Sequence, residues 1–359
     1  MKILILANNS GGLYDFRHEL IFALLNRGDV VAVTPFDDKV EELKGTGCQL
    51  VEVSLDRRGI NPLRDLRLLR QYQVLIKREN PDLVITYTIK PNIYGGIVCR
   101  LRHIPYAANI TGLGTAFQER GLLRALVTEL YRFGLKRAKA VFFENAGNRE
   151  LFLNEHIIRA EQACLLNGAG VNLERYQVAE YPEEEAPTRF LFMGRIMREK
   201  GVDELFAAMR KLRAESVDCT LNVLGGYEED YRAVIEQCER EGWLRYYGYQ
   251  KDVRPFIAAS HCFVLPSWHE GMANTNLECA AMGRPVITSR IHGCMEAVED
   301  GVSGFLCERQ NAEDLARVMG RFAALPYATR REMGLAGRQR MERLFDKRQI
   351  VSRTLERLK

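Results

Sequence analysis

The chain contains no Cys-x-x-Cys pair and no Asp-x-Asp triplet, and no apolar run approaches the ~20 residues that a membrane-spanning helix needs. Its nine cysteines, at positions 48, 99, 164, 219, 238, 262, 279, 294 and 307, are odd in number and follow no spacing. They read as reduced thiols of a cytoplasmic protein and argue against a structural zinc site. Without an apolar span, any membrane contact is expected to be peripheral. The excess of charge of one sign is also small, since 51 Lys and Arg against 47 Asp and Glu leave a net charge of only +4. With no recognition motif or aromatic-basic module either, nucleic acid is not an expected partner. The start, Met1-Lys2-Ile3-Leu4-Ile5-Leu6-Ala7, runs directly into Asn8-Asn9-Ser10-Gly11-Gly12 with no small-residue cleavage pattern. It reads as a buried first strand and not as a signal peptide.

What is present is a two-part globular chain. Its 359 residues exceed what one core holds, and 47% hydrophobic with 27% charged residues is a globular balance. In the first half, short apolar runs (3–6, 30–33, 50–53, 83–86, 106–110 and 140–143) alternate with helix-period segments, which predicts a parallel sheet covered on both faces. One such helix is expected from about Asp15 to Asn26, ahead of Gly28. An acid-rich segment with two prolines, 167–188, reads as a solvated connection. Beyond it the same rhythm returns, with strands at 190–193, 221–224, 245–247, 262–265, 286–288 and 304–306. The expected architecture is α/β: a doubly wound, Rossmann-like domain over 1–166, the connection 167–188, a second such domain over 189–335, and a closing helix over 336–359 that can pack back on the first domain. Sheets of this kind bind ligands at the carboxyl ends of their strands. The architecture alone leaves transferase, phosphorylase, epimerase and binding protein open.

The segment Gly194-Arg195-Ile196-Met197-Arg198-Glu199-Lys200-Gly201 follows an expected strand and enters a helix. A glycine for close backbone approach, a guanidinium fork, a lysine point charge and a helix N-terminus suit a pyrophosphate. A solvated basic turn would read the same way in isolation. Further along, Pro266-Ser267-Trp268-His269-Glu270-Gly271-Met272-Ala273-Asn274-Thr275-Asn276-Leu277-Glu278 ends a strand, crosses a loop and enters another helix. Glu270 on the loop and Glu278 in the early helix can accept hydrogen bonds from two sets of sugar hydroxyls, while the amides at the helix start, over Gly271, Met272, Ala273 and Asn274, can face phosphate. Singly, each glutamate also reads as a surface acid.

Together, Arg195 and Lys200, the two glutamates with seven residues between them, and the following Ala280-Ala281-Met282-Gly283-Arg284-Pro285-Val286 resemble the donor site of family 4 retaining glycosyltransferases, which have the two-domain GT-B fold. The resemblance extends over nearly the whole chain. It implies that Arg195 and Lys200 hold the donor diphosphate, that Glu270 touches donor-sugar hydroxyls, and that Glu278 binds the ribose diol, with Glu270, Arg195 and Lys200 carrying the catalysis. In the first half, Ser10-Gly11-Gly12 resembles the glycine-rich loop that lies near donor phosphates and acceptor in this fold. Gly12 is therefore assigned to the donor, and Ser10 and Gly11 to the acceptor. The segments around Lys90 and Asn92, and around Asn109 and Thr111, follow expected strand ends and are assigned to the acceptor as well. They resemble the branch that builds bacterial capsule, O-antigen and related glycans on lipid-linked diphosphates. One departure stands out: many members carry a histidine where this chain has Asn109-Ile110-Thr111-Gly112, so no catalytic histidine is carried over, and His103 reads as a loop residue.

The expected partners are a nucleoside-diphosphate sugar, a glycan acceptor that the resemblance links to a lipid, and an anionic membrane surface. No cofactor is expected. With no Asp-x-Asp, the leaving diphosphate must be neutralised by Arg195, Lys200 and helix-terminal amides, and Glu228-Glu229-Asp230 reads as a helix-start cap. Retention by front-face attack and by a covalent intermediate both remain open. So do an epimerase or hydrolase, a transferase with a soluble small-molecule acceptor, and a sensor that binds donor without consuming it. Residues 57–139 hold sixteen Lys or Arg against five Asp or Glu, although the rest of the chain is net acidic. Within that stretch, 120–137 is an amphipathic basic helix. It suits either a packed element with a solvated face or a membrane-surface helix presenting Arg124, Arg132 and Lys136.

Overall fold

The computed structural model of the chain describes residues 1–56, 59, 61–114, 117, 121–184 and 187–359. It separates into two units, Met1–Ala169 with Lys347–Lys359, and Gly170–Asp346.

In the first unit, β1 (Lys2–Leu6), β2 (Asp29–Thr34), β3 (Gln49–Glu52), β4 (Leu83–Tyr87), β5 (Tyr106–Ile110), β6 (Ala140–Phe143) and β7 (Ala163–Leu165) form one sheet in the order β3-β2-β1-β4-β5-β6-β7. Every pairing in it is parallel, with Leu6 set against Val33 on one side and Thr86 on the other. The central strands are apolar on both faces because helices cover both. α1 (Ser10–Leu25) and α2 (Val40–Lys44) bury Leu20, Ile21, Leu24 and Leu43 on one side. α3 (Pro62–Glu79), α4 (Gly96–Arg102), α5 (Leu122–Leu135) and α6 (Ala146–Asn154) bury Tyr72, Val98, Tyr131 and Phe152 on the other. α1 starts five residues earlier than the sequence suggests. Asn9 caps it by accepting from the Gly12 amide at 3.1 Å, so Gly11 and Gly12 belong to its first turn and not to a loop.

The second unit contains β8 (Thr188–Met193), β9 (Cys219–Leu224), β10 (Leu244–Tyr246), β11 (Cys262–Leu265), β12 (Val286–Ser289) and β13 (Gly304–Cys307), in the order β10-β9-β8-β11-β12-β13 and again parallel. α7 (Val202–Ala214), α8 (Arg232–Arg240), α9 (Arg254–Ala258), α10 (Asn274–Ala281), α11 (Ala312–Ala323) and α12 (Tyr327–Leu344) pack around it. Both sheets have the doubly wound order. Its strand direction of travel reverses between β1 and β4 in one and between β8 and β11 in the other, and these reversals are where such sheets open a crevice for ligands.

Two expectations about the connections need correcting. The segment expected as solvated is instead part of the second unit from Gly170 onward: Val171, Leu173, Tyr176 and Tyr181 are buried, the first three in its core cluster. The buried Arg284 guanidinium fastens this strap, donating to the carbonyls of Ala179 (3.1 Å), Ile257 (3.1 Å) and Ala258 (2.8 Å). The many acids obscured apolar side chains spaced closely enough to reach the core. The closing helix is likewise not one element. α12 ends at Leu344 within the second unit, whereas α13 (Lys347–Arg357) belongs to the first, burying Ile350 beside α1, and Arg27 there donates to the Leu355 carbonyl at 3.2 Å.

Candidate functional site

The reversal between β8 and β11 gathers the residues singled out in the second half. β8 leads into Gly194, whose amide donates to the Leu224 carbonyl at 3.0 Å. The chain then makes a single 3-10 turn over Arg198–Lys200 and passes through Gly201, in the left-handed region at φ 73°, into α7. A Cβ on Gly201 would lie 2.1 Å from the Pro266 carbonyl oxygen, so only glycine lets this loop lie directly against the loop after β11. The contact is laced by Trp268, whose amide donates to the Glu199 carbonyl at 2.9 Å, and by Ser267 Oγ, which donates to the same oxygen at 3.2 Å. His269 Nε2 stands 3.4 Å from the Glu199 carboxylate.

This packing brings Lys200 Nζ onto Glu270 Oε1 in an ion pair whose side chains are only 18% and 13% exposed. Glu270 is fixed from behind. Gly293, at φ 90°, approaches so closely that a Cβ there would meet the Glu270 carbonyl oxygen at 2.5 Å. The Ala273 amide donates to the Gly293 carbonyl at 2.7 Å, which holds the Gly271-Met272-Ala273 loop with Met272 and Ala273 buried. No side chain caps α10, so the positive end of its dipole faces the loop, and the buried Asn274 Oδ1 has no hydrogen-bond partner among the described residues. Behind Glu270, burial and that carboxylate push the Cys294 thiol well up, which keeps it neutral and removes it as a nucleophile.

Glu278 lies in α10 and is hydrogen-bonded by the hydroxyl of Tyr176 from the strap; burial first, and then the nearby carboxylate, push that phenol well up. Tyr176 is the functional neighbour that the sequence did not reveal, because it sits in the segment taken for a solvated connection. Arg195 is placed differently from Lys200. It is half exposed and pairs with Glu228 at 3.2 Å. Glu229 accepts from the Arg198 amide at 2.9 Å, and α8 begins only at Arg232, so these acids brace the loop after β8 instead of capping a helix.

In the first unit the expected acceptor residues are largely occupied. Ser10 is fully buried, and its amide donates to Asp37 at 2.8 Å. A Cβ on Gly12 would meet the capping Asn9 Oδ1 at 2.6 Å, so glycine there serves the cap, while Gly11 faces Asp38. Lys90 pairs with Asp65 at 2.7 Å and donates to the Gly59 carbonyl at 2.8 Å. Asn92 and Asn109 are buried: Asn92 accepts from Thr86 at 2.6 Å and donates to the Asn109 carbonyl at 2.8 Å, while Asn109, inside β5 and not beyond it, donates to the Thr86 carbonyl at 3.2 Å. These asparagines tie β4 to β5. Thr111 is half-buried just past β5, and His103 is exposed at the left-handed end of α4. A buried Arg17–Glu144 pair, with the Arg17 guanidinium 5.0 Å from the Tyr87 ring centre, joins α1 to the ends of β4 and β6. Of the basic stretch, Arg57, Arg58 and Arg120 lie outside the described residues.

Two family descriptions match the chain, one within each unit. "Glycosyl transferase 4-like" covers residues 2–145, and "Glycosyl transferases group 1" covers residues 187–324. The chain is a glycosyltransferase. Its two units match these two glycosyltransferase descriptions in turn, and its fold is the GT-B fold. Among curated relatives, it is 27% identical over 336 residues, 88% of both chains, to the N,N'-diacetylbacillosaminyl-diphospho-undecaprenol alpha-1,3-N-acetylgalactosaminyltransferase of Campylobacter jejuni. It is 23% identical, over 88% of this chain and 86% of the other, to the capsular polysaccharide biosynthesis glycosyltransferase CapM of Staphylococcus aureus. Among solved structures, Anabaena Alr3699/HepE in complex with UDP superposes with a TM-score of 0.81 at 17% identity, covering 100% of this chain and 99% of the other. That likeness concerns the fold.

Proposed function

We propose that this glycosyltransferase moves a hexose or N-acetylhexosamine, with retention, from a UDP-sugar held by the second unit to a glycan on a polyprenyl diphosphate recognised by the first. The product would serve bacterial surface polysaccharide or glycoprotein glycan assembly. The observation that carries the reading is the Lys200–Glu270 pair set at the β8/β11 reversal beside the uncapped start of α10. A cation and a helix N-terminus offer a diphosphate its counter-charges, and a carboxylate one residue-length away offers acceptors to sugar hydroxyls. The undecaprenyl-diphosphate acceptor named for the Campylobacter relative supports the lipid-linked choice.

In this reading the bond from the anomeric carbon to the diphosphate oxygen breaks while the acceptor hydroxyl attacks from the same face, and the departing phosphate oxygen takes its proton. Lys200, Arg195 and the α10 amides stabilise the negative charge that grows on the diphosphate. Glu270 orients the sugar, and Glu278, held by Tyr176, takes the ribose. With these cations supplied by the chain, turnover should persist in excess chelator. Nine free cysteines support a reducing compartment, and among the described residues no helix is long and apolar enough to cross a membrane. We place the enzyme at the cytoplasmic face of the plasma membrane, in peripheral contact with anionic lipid.

A panel of radiolabelled nucleotide sugars, incubated with the enzyme and a bacterial membrane lipid extract, tests the proposal. Label from a UDP-sugar should move into the organic phase. Label entering only water-soluble products across the panel would contradict the lipid-linked acceptor.

A further inference from the structure

The helices on one side of the first sheet carry large apolar side chains where water should be. α5 packs inward through Thr128, Tyr131, Gly134 and Leu135. At 3.6 residues per turn its opposite line runs through Leu122, Leu126 and Phe133. All three are exposed, Leu122 by 92% and Leu126 by 55%. Next to it, α4 exposes Leu101, and its Arg100 guanidinium lies 4.1 Å from the Phe133 ring centre. α3 turns Leu68, Tyr72, Leu75 and Ile76 inward and exposes Leu63, Leu66 and Val74. The inward residues of α3, α4 and α5 join one core cluster, so their outward lines share one side of the unit.

Cations are interleaved with these apolar side chains. Arg67, Arg70, Lys77, Arg102, Lys136 and Arg137 are all exposed. The acids of the same helices are paired: Asp65 with Lys90, Glu79 with Lys2 and Arg78, and Glu129 with Arg132. Arg124 and Arg132, expected to face a membrane, turn to Glu155 and Glu129 instead, whereas Lys136 remains exposed.

We propose that the outer face of α3, α4 and α5 docks on an anionic lipid surface, with Leu122 and Leu126 entering the headgroup boundary and the interleaved cations meeting the headgroups. Exposed leucines alone would suit another protein equally well. Leucines set among unbalanced cations on adjoining helices instead match a surface that is apolar beneath and negative above. The inference rests on the reading that the acceptor is lipid-linked, and it supplies the surface by which the enzyme reaches it.

Vesicle sedimentation of the full chain tests it, with phosphatidylglycerol and phosphatidylcholine mixtures against phosphatidylcholine alone. The wild type should bind the anionic vesicles and leave the neutral ones. Leu122→Ser with Leu126→Ser should weaken partition about tenfold or more, as burial of even half of each side chain would require. Arg102→Gln, Lys136→Gln and Arg137→Gln together should weaken it about as much and flatten its salt dependence. In a Leu122→Trp protein, brominated lipid should quench the new tryptophan, while Trp243 and Trp268, both in the second unit, serve as controls. Transfer to a detergent-dispersed acceptor should be unchanged in these variants, which separates this surface from the proposed reaction. The proposal is overturned if the wild type ignores anionic vesicles at low salt, if the leucine variant binds as well as wild type, or if the face proves to be a dimer contact that the leucine variant splits.

Discussion

Replacing Lys200 and Glu270 separately should change nucleotide binding in opposite directions. The two groups form an ion pair that is about five-sixths buried, so each is the other's main counter-charge before ligand arrives. When a diphosphate enters, Lys200 gains a stronger anion and Glu270 is released toward the sugar. Lys200→Met therefore removes a charge-assisted contact worth about 1.5–3 kcal/mol, a loss of roughly ten- to a hundredfold in UDP affinity. It also leaves Glu270 as a mostly buried negative charge without its cation, facing the phosphates, which pushes the loss toward the upper end. Glu270→Gln leaves Lys200 wholly available, so UDP should bind as well as or better than to wild type, while turnover falls because the sugar loses its acceptor. Calorimetric titration of UDP into both variants, with transfer rates measured in parallel, reads both signs. UDP affinity unchanged in Lys200→Met, or lowered in Glu270→Gln as much as in Lys200→Met, would refute the division of labour.

Tyr176→Phe should weaken UDP binding about tenfold but leave 2′,3′-dideoxy-UDP binding as it is in wild type, since the hydroxyl acts only through Glu278 on the ribose; equal losses for both nucleotides would reduce Tyr176 to a packing residue. Gly201→Ala, forced to a φ near 73° against the Pro266 carbonyl, should cost at least about 1–3 kcal/mol, lower the melting temperature of the second unit by several degrees and abolish UDP binding; a stable variant that binds normally would show that the two loops need not touch. His261 is buried, accepts from the Arg189 amide at 3.0 Å, and is pushed by burial down to about 4. Because its folded-state value lies below the unfolded one near 6.5, the unfolded chain binds the extra proton first, so stability is full above that value and is lost as pH falls from about 6.5 to about 4, by up to about 3 kcal/mol. Urea unfolding across that window should show the loss in wild type and a flatter profile in His261→Gln; identical profiles would remove His261 from the acid limit.

The parts of the molecule that sequence revealed are those in which neighbours in space are also neighbours in pattern. Strands such as Lys2–Leu6 and Cys262–Leu265 announce themselves as unbroken apolar runs, because both faces are covered. Lys200 and Glu270 stood out because each lies in a strand-to-helix loop, although only the structure shows that Gly201 and Pro266 press the two loops together. What stayed hidden depends on long-range contact. Tyr176 looked like one residue of an acid-rich connection, and the Arg17–Glu144 pair joins positions 127 residues apart with no local signature. Gly11 and Gly12 were taken for a loop because glycine so often marks one; the Asn9 cap makes them a helix start. The acceptor assignments to Asn92 and Asn109 followed from their place near strand ends; their burial and the hydrogen bonds that run from Asn92 to the Asn109 carbonyl and from Asn109 to the Thr86 carbonyl could be seen only in the fold.

The central claim, retaining transfer from a UDP-sugar to an acceptor, is tested most directly by following the anomeric protons of donor and product together by NMR. The donor's anomeric signal should persist in enzyme alone, decline only once a polyprenyl-diphosphate glycan is added, and give way to a product signal of the same anomeric configuration. Donor loss without acceptor, or a product of inverted configuration, would contradict it.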